Sequence, residues 1–364
     1  MVCNICKATN YFNILNKVSI PIWTGSSEIE AARFPCKISQ CTECGHVYEN
    51  ISEELSIKLS DIYSFGHAFV STPPSDQNWG FERAKAFLDR INYIDYSSAI
   101  EIGCADGYLL RFLEKQGYTK LIGVEPSLPK SSKIGNIEFI KAFVSRDTIL
   151  DRVDLIFANA VFEHIEDINS VLQFVKNNLK STGELFFAVP NAEAELETGD
   201  AALFIHEHVH YYTKNSINYL LAKNGLKSKS IVQDLDAIYV SAIIDEKISL
   251  PSNPINIYSN YSNLLSIGLA KLSEIMISHN NIIIHGATNK LNNILGWSED
   301  KYSFTLVDND EVKLNQFFFG QKVKSINDLN LTDYDCVVIV PTAYFNSIRD
   351  QYLHLGFSGK IYQA

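Results

Sequence analysis

One stretch of the sequence, residues 98–110, limits most strongly what this chain can fold into. An apolar run ends at Ile102 and is followed by the small residues Gly103, Ala105 and Gly107, and then by an amphipathic segment. This order predicts a strand, a tight loop and a helix. Small residues let the backbone N–H groups of the loop and the helix N-terminus approach a ligand closely.

A second predicted strand brings an acidic residue to this loop. The apolar residues 121–124 end at Glu125, which follows Glu101 at about the 20-residue spacing that places a carboxylate against ribose hydroxyl groups in doubly wound sheets. Glu101, at the end of the first strand, can meet a cationic or hydroxyl-bearing part of the same ligand. We therefore expect a nucleoside-bearing cofactor at this position.

Strand and helix patterns continue to alternate up to a boundary near Asp245. Further strands are predicted at residues 137–140, 153–158, 183–189 and 237–244, and helices through Leu172 and from Thr213 to Lys223. This alternation predicts a doubly wound, Rossmann-like α/β domain with a parallel sheet.

A second, smaller α/β unit is predicted after the boundary. A long helix over residues 255–279 leads into a buried strand that turns at Gly286, and two further strands follow at residues 304–308 and 336–341. The turn lacks the glycine triplet of a dinucleotide site, so we expect a packing or substrate-binding domain. Lys290 is a candidate phosphate contact there.

Length and charge limit the class of protein. A chain of 364 residues exceeds what one hydrophobic core usually serves. The net charge of -11, without a dense Lys/Arg cluster, argues against a nucleic-acid partner. Because neither a membrane-spanning run nor a charged-then-apolar leader is visible, we expect a cytoplasmic protein with no membrane partner, either a monomer or a homodimer.

Four of the seven cysteines form two CxxC pairs near the N-terminus, Cys3 with Cys6 and Cys41 with Cys44. Each pair offers two thiolates from one tight turn, and four thiolates complete a tetrahedral zinc site. Disulfides rarely persist in the cytosol, and this segment is too small to build a core of its own. We therefore expect structural zinc; Cys36 is either a substitute ligand or a small packed residue.

Residues 52–92 have helical periodicity on both sides of a polar segment at 63–79. That segment contains Tyr63, His67 and the pair Pro73–Pro74, and it has too many hydrogen-bonding groups for a core segment. It is expected to be either a lid over a ligand or an exposed connection.

The motifs resemble those of class I S-adenosylmethionine-dependent methyltransferases across residues 96–232. The matching motifs are residues 101–107, Glu125, residues 159–165 and residues 181–191. With the CxxC pairs, residues 205–213 and the loop at 286–290, the whole chain resembles the zinc-containing sugar C-methyltransferases of deoxysugar biosynthesis. The resemblance implies a zinc-binding lobe at 1–50, a helical connection at 51–95, a cofactor domain at 96–245 and, at 246–364, a domain that helps to hold a nucleotide-linked keto-sugar.

The resemblance assigns roles to the loop residues. Glu101, Gly103, Ala105 and Gly107 are expected at the methionine end of S-adenosylmethionine, and Glu125 at its ribose. The full set of predicted cofactor contacts is Glu101, Gly103, Cys104, Ala105, Gly107, Tyr108, Glu125, Pro126, Ala142, Phe143, Asn159 and Ala160.

The resemblance also carries Glu207 and His208 to the acid/base segment of the family. Methylation of a carbon beside a ketone requires a base for the α-proton and a group that stabilises the enolate. His208 is the predicted base, with Glu207 orienting it or hydrogen-bonding the sugar. The secondary candidates are His210, Tyr211, Tyr212 and Tyr63. Alternatively, one or two of these histidines only cap the helix that begins near Thr213.

Other hypotheses remain open for the accepting atom. Ile205 stands where the family has a tyrosine, and the loop upstream of the cofactor domain is reduced. The alternatives are an O- or N-methyltransferase acting on a sugar or another small metabolite, and a non-catalytic zinc-knuckle binding protein. Residues 206–210 also match the HExxH pattern of zinc proteases, but residues 209–212 are a poor helix interior, so we do not predict a protease. Glu163 and His164 are expected to fix their loop.

Overall fold

The structure, a computed structural model, describes residues 2–22, 32–65, 79–234, 237–252, 255–297, 302–311, 313–318 and 320–364. The chain forms two compact units, each built from separate segments. Unit 1 comprises Met1–Asn13, Ile38–Ala194 and Glu207–Ile257, and unit 2 comprises Ile14–Lys37, Glu195–His206 and Tyr258–Ala364. The expected domains are continuous in sequence, whereas segments of the two units alternate along the chain. This alternation depends on long-range contacts, which leave no trace in local periodicity.

The N-terminal part of the chain is built from strands β1 (Tyr11–Pro21), β2 (Arg33–Cys41) and β3 (Val47–Glu49) and helices α1 (Glu53–Phe65) and α2 (Trp79–Leu88). The division between the units falls within β1 and β2. In unit 1, β3 pairs antiparallel with the end of β2, with Ile38 opposite Glu49. Tyr63, expected in the polar segment, instead lies in α1, whereas His67 and Pro73–Pro74 lie outside the described residues.

The central part of the chain has the predicted alternation of strands and helices. Its elements are β4 (Ser98–Ile102), α3 (Tyr108–Lys115), β5 (Lys120–Val124), β6 (Ser132–Ile134), β7 (Ile137–Ile140), β8 (Val153–Asn159), α4 (Ile168–Asn178), β9 (Leu179–Pro190), α5 (Glu193–Thr198), β10 (His210–Tyr211), α6 (Lys214–Lys223), β11 (Leu226–Gln233) and β12 (Ala237–Ile244). The strand order of the large sheet is β11-β12-β9-β8-β4-β5-β7-β6.

The order in which successive strands are added to the sheet reverses at β4. This strand pairs parallel with β5 on one side and with β8 on the other, so the crevice of the doubly wound sheet opens at the carboxyl ends of these strands. Every residue of β4 is buried, as expected for a strand covered on both faces. The predicted α/β architecture is therefore confirmed for this part of the chain.

The sheet differs from the prediction at both edges. At one edge, β6 was not predicted and pairs antiparallel with β7. β12 was expected to complete a parallel sheet, but it pairs antiparallel with both β9 and β11. The short connection from β11 to β12 is the physical reason for the antiparallel pairing of these two strands, because a parallel crossover needs a dozen or more residues. β11 itself was not predicted, since most of its residues are exposed or half-buried and its pattern is polar.

The helix that follows the predicted acid/base segment begins where the sequence indicates. Thr213 is the N-cap of α6; its hydroxyl accepts from the backbone N–H of Ser216, and the Ser216 hydroxyl accepts from the backbone N–H of Thr213. This reciprocal capping box satisfies two backbone donors of the helix start. The capping box therefore fixes where α6 begins, and residues 206–212 precede the helix.

The C-terminal part is a second α/β arrangement, within unit 2. Its elements are α7 (Tyr261–Ser278), β13 (Ile282–His285), α8 (Asn289–Trp297), β14 (Thr305–Val307), β15 (Phe317–Phe318), β16 (Gln321–Lys322), β17 (Cys336–Ile339), α9 (Phe345–His354) and β18 (Lys360–Gln363). The strands β14, β13, β17 and β18 form a parallel sheet in that order. Within the described parts of the chain, no helix has the length and apolar character needed to cross a membrane.

Candidate active site

The loop after β4 has the conformation that its small residues predict. Gly103, Ala105 and Gly107 all have positive φ, at 72°, 44° and 80°. A Cβ atom on Gly103 would lie 2.5 Å from Cγ2 of Val161, and one on Gly107 would lie 2.6 Å from the ring of Phe139. Both glycines are therefore required by close packing as well as by the left-handed backbone.

Glu101 lies at the carboxyl end of β4, where its side chain is 4% exposed. Its Oε2 atom has no hydrogen-bond partner among the described residues. Burial raises the pKa of this carboxyl well above its usual value, and the charges of Asp106 and Glu125 add to the effect. A buried carboxyl oxygen beside the loop suits a ligand that presents a cationic or N–H donor group.

Glu125 follows β5 and is held against the same loop. Its Oε2 atom accepts from the backbone N–H of Ala105 at 3.4 Å. Its Oε1 atom accepts from the backbone N–H and the hydroxyl of Ser127, at 2.9 and 2.7 Å. The carboxylate is thus oriented at the sheet edge, as a group that binds ribose hydroxyls must be.

The other predicted cofactor residues follow β4, β5, β7 and β8, whose carboxyl ends share this edge. They are Cys104, Tyr108, Pro126, Ala142, Phe143, Asn159 and Ala160. Phe143 has 54% of its surface exposed, and Ala160 has a positive φ of 54°. The Sγ atom of Cys104 packs against Gly123 of β5, so we expect any contact of Cys104 with a ligand to come from its backbone.

A cluster of acid/base side chains lies next to this loop. Glu163 and His164 belong to a 3-10 turn, Phe162–His164, that follows β8. Val161, which precedes the turn, is the residue that packs on Gly103. The rings of His164 and His208 are 4.8 Å apart between centroids, and ligating atoms of both histidines and of Glu163 all lie within 4.8 Å of one another.

Hydrogen bonds fix the orientation of the His164 ring. Its Nδ1 atom is 2.7 Å from the backbone oxygen of Glu207 and 2.8 Å from the hydroxyl of Tyr63. A carbonyl oxygen can only accept, so Nδ1 carries the proton. The Tyr63 hydroxyl in turn donates to the same carbonyl, at 3.3 Å. The lone pair of His164 is therefore on Nε2, which lies 3.7 Å from Oε1 of Glu163.

Burial controls the charge of this cluster. It lowers the pKa of His164 to about 4 and the pKa of His208 well below 6.5, and it raises the pKa of Glu163 to about 8. Near pH 7 both imidazoles are neutral and the carboxyl is protonated. The positive charge of Arg83, on α2, contributes to lowering the pKa of both histidines, and the same charge opposes a metal cation between these donors.

The residues of this cluster are not the same set as the predicted acid/base residues. Tyr63, His208 and the backbone of Glu207 are brought together, and Tyr211 lies beside His208 with 6.4 Å between ring centroids. Glu163 and His164 are part of the cluster, whereas the sequence suggested only that they fix a loop. Their position directly after a strand at the binding edge was the available signal, but Arg83 had no sequence signal.

His210 does not fit its predicted role as a secondary base. Its Nε2 atom donates to the backbone oxygen of Ile165 at 2.9 Å, and its Nδ1 atom is 2.8 Å from Nε2 of His46. Both ring nitrogens are occupied in a buried position, so neither is available for a substrate proton. Tyr212 is likewise engaged, since its hydroxyl donates to the backbone oxygen of Phe162 at 3.2 Å.

The zinc-protease pattern is not realised. Residues 206–209 are not helical, and His210 begins β10. In unit 2, Nε2 of His206 lies 3.2 and 3.1 Å from the backbone oxygens of Ile20 and Phe34. The pattern therefore lacks the shared helical face that two metal ligands would need.

The four cysteines of the CxxC pairs form one cluster. Sγ of Cys3 lies 3.6 Å from Sγ of Cys44, and Sγ of Cys6 lies 3.4 Å from Sγ of Cys41. Zn–S bonds of about 2.3 Å in a tetrahedron put sulfur atoms about 3.8 Å apart, so the arrangement fits a zinc ion closely. Cys36 is not a member of the cluster among the described residues.

The two turns that carry these cysteines are alike. Lys7 and Gly45, each directly after the second cysteine of its pair, have φ of 66° and 73°. Backbone N–H groups of Ala8 and Glu43 point at the sulfurs of Cys6 and Cys41, at 3.5 and 3.4 Å. Such N–H donors stabilise thiolates, which is the protonation state that binds a metal.

Lys290, the candidate phosphate contact of unit 2, is already paired. Its Nζ atom lies 3.1 Å from a carboxylate oxygen of Asp200 and 3.0 Å from the backbone oxygen of Ala364. Asp308, after β14, accepts from the backbone N–H of Ala287 at 2.8 Å and from Lys313 at 3.1 Å. The bonds of Asp308 connect the loop after β13 to the segment after β14.

Comparison with known families identifies the class of the central domain. Residues 77–231 match the family described as "Methyltransferase domain". The chain therefore contains an enzyme domain, a methyltransferase domain. Residues 278–361 match a second family, described as "C2185-like, N-terminal".

Two individual relatives are similar to the chain at low sequence identity. The chain is 27% identical over 248 residues to the C-methyltransferase NovU of Streptomyces niveus, covering 62% of this chain and 56% of the relative. It is 25% identical over 107 residues to the malonyl-(acyl-carrier protein) O-methyltransferase of Calditerrivibrio nitroreducens, covering 29% of this chain and 43% of the relative. The chain thus spans about half the length of these two relatives.

Solved methyltransferase structures align with part of this chain at low identity. An S-adenosylmethionine-dependent methyltransferase from Mesorhizobium loti aligns with 13% identity and a TM-score of 0.36, covering 44% of this chain and 96% of that structure.

Proposed function

We propose that this protein transfers a methyl group from S-adenosylmethionine to a carbon atom of a nucleotide-linked keto-sugar. The observation that carries the proposal is the uncharged acid/base cluster of Glu163, His164 and His208 beside the loop of the methyltransferase domain. An enzyme that only aligned a nucleophile already free of its proton would not need such a cluster. The distant similarity to a C-methyltransferase and the cysteine cluster on the same chain also support the proposal.

The residues at the loop fit the cofactor. Gly103 leaves room for close approach, Glu101 offers a buried carboxyl oxygen for the amino group of the methionine end, and Glu125 is oriented for the ribose. S-adenosylmethionine supplies a methyl group on a positively charged sulfur, which is an electrophile.

The chain's own residues handle the proton. A neutral His208 can accept the proton from the carbon beside the keto group, and the negative charge then moves to the keto oxygen. The protonated carboxyl of Glu163 can donate a hydrogen bond to that oxygen, and the positive charge of Arg83 favours the anion. His164 is held by Tyr63 and Glu207 so that its lone pair faces the same space.

We further propose that the four cysteines bind one structural zinc ion. The short S···S distances and the paired turns support this. Four protein ligands would complete the coordination, so the ion would have no open position at which to bind a substrate.

Methylation of oxygen is the second candidate function. The distant similarity to an O-methyltransferase favours it, and His208 could equally accept a hydroxyl proton.

The test is incubation with S-adenosylmethionine carrying a ¹³C-labelled methyl group and a panel of nucleotide-linked keto-sugars. The ¹³C shift of the new methyl group distinguishes a methyl on carbon from one on oxygen or nitrogen. We expect a C-methyl product from the wild type and none from His208→Asn. A methyl on oxygen would support the second candidate. Failure of the wild type to bind S-adenosylmethionine in calorimetry would refute both.

A further inference from the structure

The turn that carries Glu163 and His164 is held at its backbone by one short segment of chain, residues 209–212. Three bonds connect them: Tyr212 hydroxyl to Phe162 oxygen at 3.2 Å, Val209 N–H to Glu163 oxygen at 2.9 Å, and His210 Nε2–H to Ile165 oxygen at 2.9 Å. Residues 209–212 thus help to set the position of the turn, because two of these bonds are made by carbonyl groups of the turn and the third by the carbonyl group of Ile165, which follows it.

The same segment is attached to the cysteine cluster. His210 and Tyr211 form β10, which pairs antiparallel with β3, with His210 opposite Tyr48. The backbone N–H of Glu49 donates to Val209 oxygen at 3.1 Å. β3 begins just after the second CxxC pair, whose turn is closed by a bond from Cys41 N–H to His46 oxygen at 2.9 Å. A continuous hydrogen-bonded path therefore runs from the cluster to the turn.

The two histidines on this path have fixed tautomers. Nε2 of His210 must donate, since its partner at Ile165 is a carbonyl, so Nδ1 accepts from Nε2–H of His46 at 2.8 Å. Both rings are buried against Tyr212, each with 5.5 Å between centroids. Packing on Tyr212 and the two directional bonds leave His210 a single orientation.

We propose that His210 is a positioning residue that transmits the geometry of the cysteine cluster to the turn carrying Glu163 and His164. The cluster would then be needed for the acid/base chemistry as well as for the stability of its own segment. The inference rests on the proposed function, since it assigns a role in that reaction. The cofactor loop contacts Val161, which precedes the turn, and also Phe139 and Glu125, and none of the hydrogen bonds in this path is made by the loop.

A matched pair of substitutions separates this role from packing. His210→Gln places an amide N–H near the former Nε2 and keeps the donor to Ile165. His210→Asn keeps a group near Nδ1, towards His46, and loses that donor. Since small misplacements of reacting groups cost about 100-fold in rate, we expect His210→Asn to lower kcat about 10- to 100-fold and His210→Gln to lower it only about 3-fold. The KM for S-adenosylmethionine should stay within about 2-fold of wild type in both variants.

Two readouts do not depend on turnover. In protein labelled with ¹⁵N-histidine, the ring nitrogens of His164 and His208 should change shift in His210→Asn and stay near wild type in His210→Gln. The metal content should equal that of the wild type in both variants. Unchanged shifts in His210→Asn, loss of metal from it, or the same loss of kcat in both variants would each overturn the inference. If the wild type methylates none of the sugars, the proposed function fails, while the ring shifts still decide the positioning role.

Discussion

Nδ1 of His164 lies 2.7 Å from the backbone oxygen of Glu207. This contact joins the turn after β8 to the segment that carries His208, and it determines which nitrogen of His164 is free. It also shows that Glu207 shapes the site through its backbone, whereas the sequence drew attention to its carboxylate.

The tautomer of His164 is the first prediction. Because Nδ1–H donates to a carbonyl, Nε2 should appear as the unprotonated nitrogen in long-range ¹H–¹⁵N spectra of histidine-labelled protein. Tyr63→Phe removes the hydroxyl that shares this contact and should broaden or shift the His164 signals, while those of His285 in unit 2 serve as the control. A protonated Nε2 in the wild type would contradict the assigned geometry.

The pH dependence of kcat/KM is the second prediction. The base must be neutral, and the pKa of His208 is well below 6.5, so activity should persist at pH 6.5 and fall only in more acidic solution. The donor must be protonated, and the pKa of Glu163 is about 8, so activity should fall as the pH rises through about 8. Glu163→Gln keeps an N–H donor that does not ionise. Its profile of kcat/KM against pH should therefore lose the decline at alkaline pH and keep the decline at acidic pH. An alkaline limb that survives in this variant belongs to another group.

Close packing at Gly103 supports the third prediction. A methyl group there meets Val161 at 2.5 Å in a backbone with φ of 72°, whereas Gly117 has φ of 94° and nothing within 4 Å of a new Cβ. Gly103→Ala should therefore weaken S-adenosylmethionine binding at least about 10-fold, an energy of about 1.4 kcal/mol. Gly117→Ala, with strain but no clash, should leave the affinity unchanged in calorimetry. Equal effects of the two substitutions would exclude the steric explanation.

The cysteine cluster gives the fourth prediction. Cys41→Ala removes one of four sulfurs that lie within 4.8 Å of one another, whereas Cys36→Ala removes a buried cysteine outside the cluster. Metal analysis should find about one zinc ion per chain in the wild type and in Cys36→Ala, and much less in Cys41→Ala. Full zinc in Cys41→Ala would mean that the ligand set is wrong.

Buried His285 of unit 2 gives the fifth prediction, which concerns stability. Burial lowers its pKa from 6.5 to about 4. The unfolded chain binds this proton between those values and the folded chain does not, so stability is full above pH 6.5 and declines towards pH 4, by about 1.4 kcal/mol per pH unit at most. His285→Asn keeps an acceptor for the Tyr352 hydroxyl, which lies 3.0 Å from Nδ1, and should show a smaller loss between pH 7 and 5.5 in urea unfolding. An unchanged loss would assign the effect to other histidines.

The sequence predicted what depends on neighbouring residues. The glycine positions of the loop, the Thr213 cap and the strands at the binding edge all follow from local periodicity and from the backbone needs of single residues. The CxxC pairs were visible for the same reason, because two ligands in one turn are a local pattern.

Long-range hydrogen-bond partners determine which of the three histidines belongs to the acid/base cluster. His206, His208 and His210 alternate along one peptide and look equivalent in sequence. Carbonyl groups of Ile20 and Phe34 engage His206, while His46 and Ile165 engage His210. These partners are distant in the chain, so periodicity and spacing could not separate His208 from the other two; the family resemblance alone singled out His208 as the base.

The interleaved units also determine the order in which the protein can fold during synthesis. Unit 1 has all of its residues once Ile257 has left the ribosome, whereas unit 2 needs residues up to the end of the chain. Residues 14–37 and 195–206 of unit 2 must therefore wait, unpaired with their own core, while the methyltransferase domain is already able to form. A chaperone that shields these early segments until the rest of unit 2 has been synthesised would raise the yield of folded protein, and slowing translation after residue 257 would lower it.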